Sequence, residues 1–144
     1  MAVAEKYDIQ SEVIPGIATG FCGGMARTAG LCGALTGGIM SLGILFGRRS
    51  PQDSQYKIYA LTERLVHDFE QAFGSRNCSD LLGCDISTPQ GEADFFRDNL
   101  GKTRCLDITV KTTQLLMQVI EKQDDIRHSL LKAPPNLKAR PPQE

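Results

Sequence analysis

Five cysteines, Cys22, Cys32, Cys78, Cys84 and Cys105, are the residues of this sequence best suited to chemistry. None forms a C-x-x-C pair, so the common zinc-ribbon spacing and the thioredoxin-like dithiol are absent, and without C-x-x-C-H there is no covalent c-type haem attachment. What remains is a site gathered from distant segments. Thiolates brought together in that way could ligate an iron–sulfur cluster or another thiophilic metal, or exchange a disulfide, and spacing alone does not choose among these.

Cys32 is the best individual candidate. Gly30 and Gly33 permit a turn that would place it at or near the N-terminus of the helix opened by CGALTGG, where the helix dipole and free N–H groups favour a thiolate. The competing reading is a buried small hydrophobe between packed helices. Cys78, between Asn77 and SDLLG, can stand at a short helix start, and Cys105 in the first turn of a long helix, where it is expected to face inward. Cys22 and Cys84 read as core or loop residues. His67 and His128 read as solvated, and Asp68, Glu70, Asp94 and Asp98 as a charged surface rather than paired catalytic carboxylates. Gly20, Gly23 and Gly24 with Arg27 faintly suggest an anion cradle, yet no P-loop and no G-x-G-x-x-G after a strand accompanies them.

These residues need elements to hold them, and the sequence is read as all-α. Its 144 residues are about the size of one domain, and a hydrophobic fraction of 41% with net charge -1 gives no electrostatic reason to bind nucleic acid or anionic lipid. The expected architecture is a compact helical bundle over residues 1–122, with a central glycine-rich helix pair, followed by a flexible Pro-rich tail over 123–144. The stretch Gly16 to Gly47 holds ten of the 14 glycines, a density expected only where backbones approach closely or turn sharply. Within it, Leu31 to Gly47 is uncharged and reaches the bottom edge of a membrane-spanning length, but the short bracketed segment favours a buried soluble helix. Gly33, Gly37 and Ser41, spaced by four, would form its close-approach ridge.

Other elements follow from periodicity. AVAEKY reads as a helix end, and SEVIPGIATGF as a helix whose apolar face is Val13, Ile14, Ile17, Ala18 and Phe21. Ser50-Pro51 signals the start of an amphipathic helix ended by Gly74, with Tyr59, Thr62, Val66, Phe69 and Phe73 on one stripe and Ile58, Leu61 and Leu65 beside it. Thr88-Pro89 opens a helix through EADFFRDNL to Gly101. A closing helix runs from Lys102 to Lys122, with Cys105, Thr109, Thr112, Leu116 and Val119 on one face and Leu106, Val110, Thr113, Met117 and Ile120 extending it. The N-terminus lacks a basic-then-apolar secretory pattern, which places the protein in the cytoplasm, where cysteines are metal-binding, redox-active or simply buried.

The run GFCGGMARTAGLCGALTGGIMSLGILFGR, then FEQAFGSRNCSDLLG, then Cys105 at the head of a terminal helix, resembles the C_GCAxxG_C_C family of proteins described as redox-active, over about residues 1–121. The most specific element is CGALTG at Cys32 to Gly37, which matches C-G-A-x-x-G. The resemblance implies a small helical domain with four recurrent cysteines, often encoded near transporter genes, and a similar domain in split-Soret cytochromes has been linked to an iron–sulfur site. It marks Cys32, Cys78 and Cys105 as three of the four, as redox, cofactor-binding or metal-ligating residues. The fourth lies upstream in the family, in an N-C-A-like segment of a helix whose end is matched here by AVAEKYDIQ, so the natural start is further upstream or a ligand has been lost. Cys22 stands where the family commonly has glycine and Cys84 is likewise outside its pattern; one of them could substitute for the fourth cysteine. Two functions follow as expectations: a redox protein passing electrons to a protein partner through clustered cysteines, with an iron–sulfur cluster as the candidate cofactor, or a non-catalytic helical interaction module, homodimeric or associated with a membrane transporter.

Overall fold

The computed structural model describes residues 2–123; the expected Pro-rich tail falls almost entirely outside them. Among the described residues the chain is helical and contains no strand, only one isolated antiparallel bridge, Leu31 to Asn77. The elements are α1 (Ala2–Lys6), α2 (Val13–Ala18), α3 (Cys22–Met25), α4 (Gly33–Phe46), α5 (Tyr56–Phe73), α6 (Cys78–Leu82), α7 (Pro89–Arg97) and α8 (Leu106–Glu121). A 3-10 turn, Thr19–Phe21, joins α2 to α3, and a π-helical turn, Gly101–Cys105, leads into α8.

The three long helices α4, α5 and α8 pack on one another. Their facing side chains, Leu35 and Leu42 from α4, Leu61, Leu65 and Phe69 from α5, and Ile108, Leu116, Val119 and Ile120 from α8, make the main core, which α1 joins through Val3. A smaller apolar cluster gathers Ala29, Cys78, Leu82 and Ile86, with Cys84, Phe95, Leu100 and Cys105 against it. No helix among the described residues is long and apolar enough to cross a membrane.

Several expected elements shift. Ser50-Pro51 does not start α5, because the Asp53 carboxylate accepts the N–H groups of Arg49 (2.9 Å) and Ser50 (3.0 Å) and folds this segment into a separate turn. The buried stripe of α5 is Leu61, Leu65 and Phe69, and Tyr59 is 65% exposed. Its end is as read, with Gly74 in the left-handed region at φ 77° and its N–H on the Glu70 carbonyl. Thr88 caps α7, accepting the Gly91 N–H at 3.1 Å, but α7 ends at Arg97 and Gly101 opens the π turn instead. That turn takes Cys105 out of phase with α8, whose seam starts at Ile108; Leu106, Thr109 and Val110 are exposed. On α2, Val13 and Ile17 are exposed, so the expected apolar face is not buried among the described residues.

The close approach along α4 differs as well. A Cβ added at Gly38 would sit 2.9 Å from Leu65 Cδ2, and one at Gly33 2.7 Å from the Phe21 carbonyl oxygen, whereas Gly37 has nothing within 4 Å. Ahead of α4 the backbone is wound left-handed for five consecutive residues, Gly23 (φ 65°), Gly24 (64°), Met25 (64°), Ala26 (52°) and Arg27 (67°). Each non-glycine residue held there costs about 1–2 kcal/mol. Hydrogen bonds hold the turn together: Gly30 N–H to the Gly24 carbonyl (3.0 Å), and the Thr28 hydroxyl toward the carbonyls of Gly24 and Met25.

Candidate functional site

The Leu31–Asn77 bridge builds the site. Cys32 N–H donates to the Arg76 carbonyl (2.8 Å), Cys78 N–H to the Gly30 carbonyl (2.6 Å) and Ser79 N–H to the Ala29 carbonyl (3.2 Å). Because side chains alternate across such a pairing, Cys32 and Cys78 fall on the same face, diagonally across the bridge. Beyond the bridge the two strand-like stubs enter helices at once, so Cys32 is the N-cap of α4 and Cys78 the first residue of α6. Gly24 completes the fit: with φ at 64° it lies so close that an added Cβ would meet Cys78 Cβ at 2.6 Å.

Cys105 comes to the same place from the other side, at the end of the π turn, with the Thr109 hydroxyl donating to its carbonyl at 2.8 Å. Cys22, Cys32, Cys78 and Cys105 all line one cavity of about 580 Å³. Its walls continue along Gly33, Gly37 and Ser41 of α4 and Thr109, Thr112 and Leu116 of α8. Cys78 is buried, Cys32 and Cys105 are partly buried, and Cys22 is exposed; none is in a disulfide.

Burial first, then the charges of Cys32, Cys105 and Cys84, push the Cys78 thiol up to about 11. Cys105 is raised as well, again by burial and then by Cys32, Cys84 and Cys22. Cys84 is raised by burial and by the nearby acids Asp94, Asp98 and Asp85. Cys78 and Cys105 are therefore held as neutral thiols at neutral pH, in surroundings that oppose a second negative charge.

By type, such donors suit a thiophilic metal or an iron–sulfur cluster. Their arrangement does not form its cage: among the described residues no group of three or more His, Cys, Asp or Glu side chains is gathered closely enough to hold a metal ion.

Cys32, Cys78 and Cys105 thus border a common cavity, and Cys84 packs against the smaller cluster instead. Cys22, read from sequence as a core or loop residue and as one of two candidate substitutes for the fourth cysteine, borders the cavity as well, and the Gly23-Gly24 run after it winds left-handed. Arg27 is engaged by Glu92 at 2.5 Å and lies over the Phe96 ring, so it is not an open anion cradle. His67 is exposed, and Asp68, Glu70, Asp94 and Asp98 make ion pairs with Arg64, Arg76 and Arg97.

Among curated proteins and solved structures nothing matches the chain. A family model described as "Putative redox-active protein (C_GCAxxG_C_C)" matches residues 1–119, so the chain belongs to that family.

Proposed function

From that membership, we propose that the protein is a thiol redox protein in which Cys32 exchanges disulfides and Cys78 and Cys105 are the buried thiols to which the disulfide passes. The observation that supports this reading is the meeting of the three residues at one cavity, with Cys32 and Cys78 fixed on one face of a bridge. The partner is a protein with an accessible disulfide or dithiol, met in the cytoplasm. In the oxidising direction two thiols of the site give up two electrons and two protons as their S–S bond forms, and the partner's disulfide takes them up to become a dithiol. The apolar walls keep Cys78 and Cys105 as neutral thiols, which slows their loss to stray oxidants; each attacks only when a disulfide of the site is beside it, giving up its proton to the sulfur that leaves.

The test is oxidation of the reduced full chain with diamide, followed by alkylation and mass spectrometry, beside iron and sulfide analysis of oxygen-protected protein. A disulfide between two of Cys32, Cys78 and Cys105 is expected, and in Cys32→Ser only the Cys78–Cys105 bond should remain. Stoichiometric iron and sulfide would overturn the disulfide reading in favour of cluster ligation. Absence of both disulfide and metal would leave the interaction module, a reading favoured by the exposed Val13 and Ile17 of α2.

A further inference from the structure

The three thiols of the proposed site are screened to different degrees, and Cys78 is 6% exposed, so a protein-sized disulfide cannot reach them equally. Cys22 is the exposed thiol on the same cavity. It is also joined to the site through the backbone: a Cβ added at Gly33, the residue after Cys32, would lie 3.4 Å from Cys22 Cα and 3.3 Å from the Phe21 carbonyl carbon. The absence of a side chain at Gly33 is what lets the two cysteine-bearing segments touch. On its other side Cys22 is followed by the left-handed turn from Gly23 to Arg27, whose end is held by the Arg27 N–H on the Cys22 carbonyl (3.3 Å), by the solvent-exposed Arg27–Glu92 pair and by the Arg27 guanidinium over the Phe96 ring.

We propose that Cys22 is the fourth thiol of the site and its contact with the outside: it attacks the partner's disulfide first and hands the oxidation to Cys32. Cys22 sulfur, losing its proton, attacks one sulfur of the partner's S–S bond; a Cys22–partner mixed disulfide forms and the partner's second sulfur leaves as a thiol carrying that proton. Cys32 sulfur then attacks Cys22 sulfur, forming the Cys22–Cys32 bond and releasing the partner's first sulfur as a thiol with the proton from Cys32. In balance, one disulfide outside is reduced by two electrons and two thiols inside are oxidised by two. The like-charge influence of Cys22 on Cys105 fits its place at the same cavity.

The inference rests on the thiol redox reading, and one set of variants tells the two apart. Oxidised glutathione is the probe for exchange from outside, and diamide the small oxidant for the cavity itself. Wild type is expected to carry glutathione first on Cys22, and Cys32→Ser to accumulate that mixed disulfide. Cys22→Ser should exchange with glutathione about tenfold more slowly or worse, while diamide still oxidises Cys32, Cys78 and Cys105 as in wild type. Cys22→Ala, checked for native helicity by circular dichroism, should behave the same way. If Cys22→Ser and Cys22→Ala exchange at the wild-type rate, or glutathione lands first on Cys32 or Cys84, the role of Cys22 is overturned and the redox reading stands. If diamide makes no disulfide in wild type, the redox reading falls and this one with it.

Discussion

At the scale of single residues, Cys78 is the group whose chemistry is most altered by its surroundings. Its folded-state value of about 11 lies above the ordinary 9.0, so the native state keeps a proton that the unfolded chain releases first. The resulting stability is fully present below pH 9 and is lost as pH rises through about 11. Urea midpoints of the reduced protein should fall over that window, and Cys78→Ala should flatten the fall; an equally steep limb in the variant would place its origin elsewhere. The cysteines at issue are legible in the sequence as types, and Cys32 and Cys78 as helix starts, since Gly30, Gly33 and Asn77 flag them. Their shared face was not visible, because it depends on a bridge between residues far apart in the chain, and no local pattern encodes that pairing.

At the scale of elements, α4 shows what two adjacent glycines can do. Gly38 faces α5 so closely that an added methyl group meets the fully buried Leu65 side chain at 2.9 Å, and in Gly38→Ala overpacking of about 1–3 kcal/mol should outweigh the about 0.5–1 kcal/mol that alanine gives a helix. Gly37 faces the cavity with nothing within 4 Å, and Gly37→Ala should instead stabilise the helix by about 0.5–1 kcal/mol. Thermal or urea unfolding of the two variants should move in opposite directions, and equal shifts would mean the faces have been assigned wrongly. Spacing by four in the sequence pointed to Gly33, Gly37 and Ser41 as the ridge, which is the cavity wall. The tight helix contact belongs to the neighbouring row, and which row meets α5 is settled by where α5 lies. The same limit explains Tyr59: the amphipathic period of α5 was legible, but its phase was off by about one residue because aromatic and aliphatic positions compete for the centre of the stripe.

For the whole molecule, the all-α bundle followed directly from periodicity and from the lack of any strand-like alternation. The division of its interior into two apolar clusters did not, since it depends on how the segment from Ala29 to Cys32 meets α6. Cys32 packs with the larger cluster and Cys78 with the smaller, so the cavity lies along the seam between them. Truncating the two sides should therefore separate stability from reactivity. Leu65→Ala, in the larger cluster, should cost about 2–5 kcal/mol with the ranking of thiol alkylation rates unchanged. Ile86→Ala should speed alkylation of Cys78 selectively at smaller cost to the fold, measured by timed iodoacetamide labelling and mass spectrometry. A uniform rise at every cysteine in Ile86→Ala would show that the clusters melt as one.

The bridge between Leu31 and Asn77 joins residues far apart in the chain. Closing the long loop between them costs conformational entropy that the packing of α4 against α5 offsets, so Cys32 and Cys78 are neighbours only where those helices are docked. Cys22 and Cys32 are close along the chain from the moment they leave the ribosome. The pairing of Cys22 with Cys32 is thus local in the chain, and that of Cys32 with Cys78 is a property of the folded bundle alone.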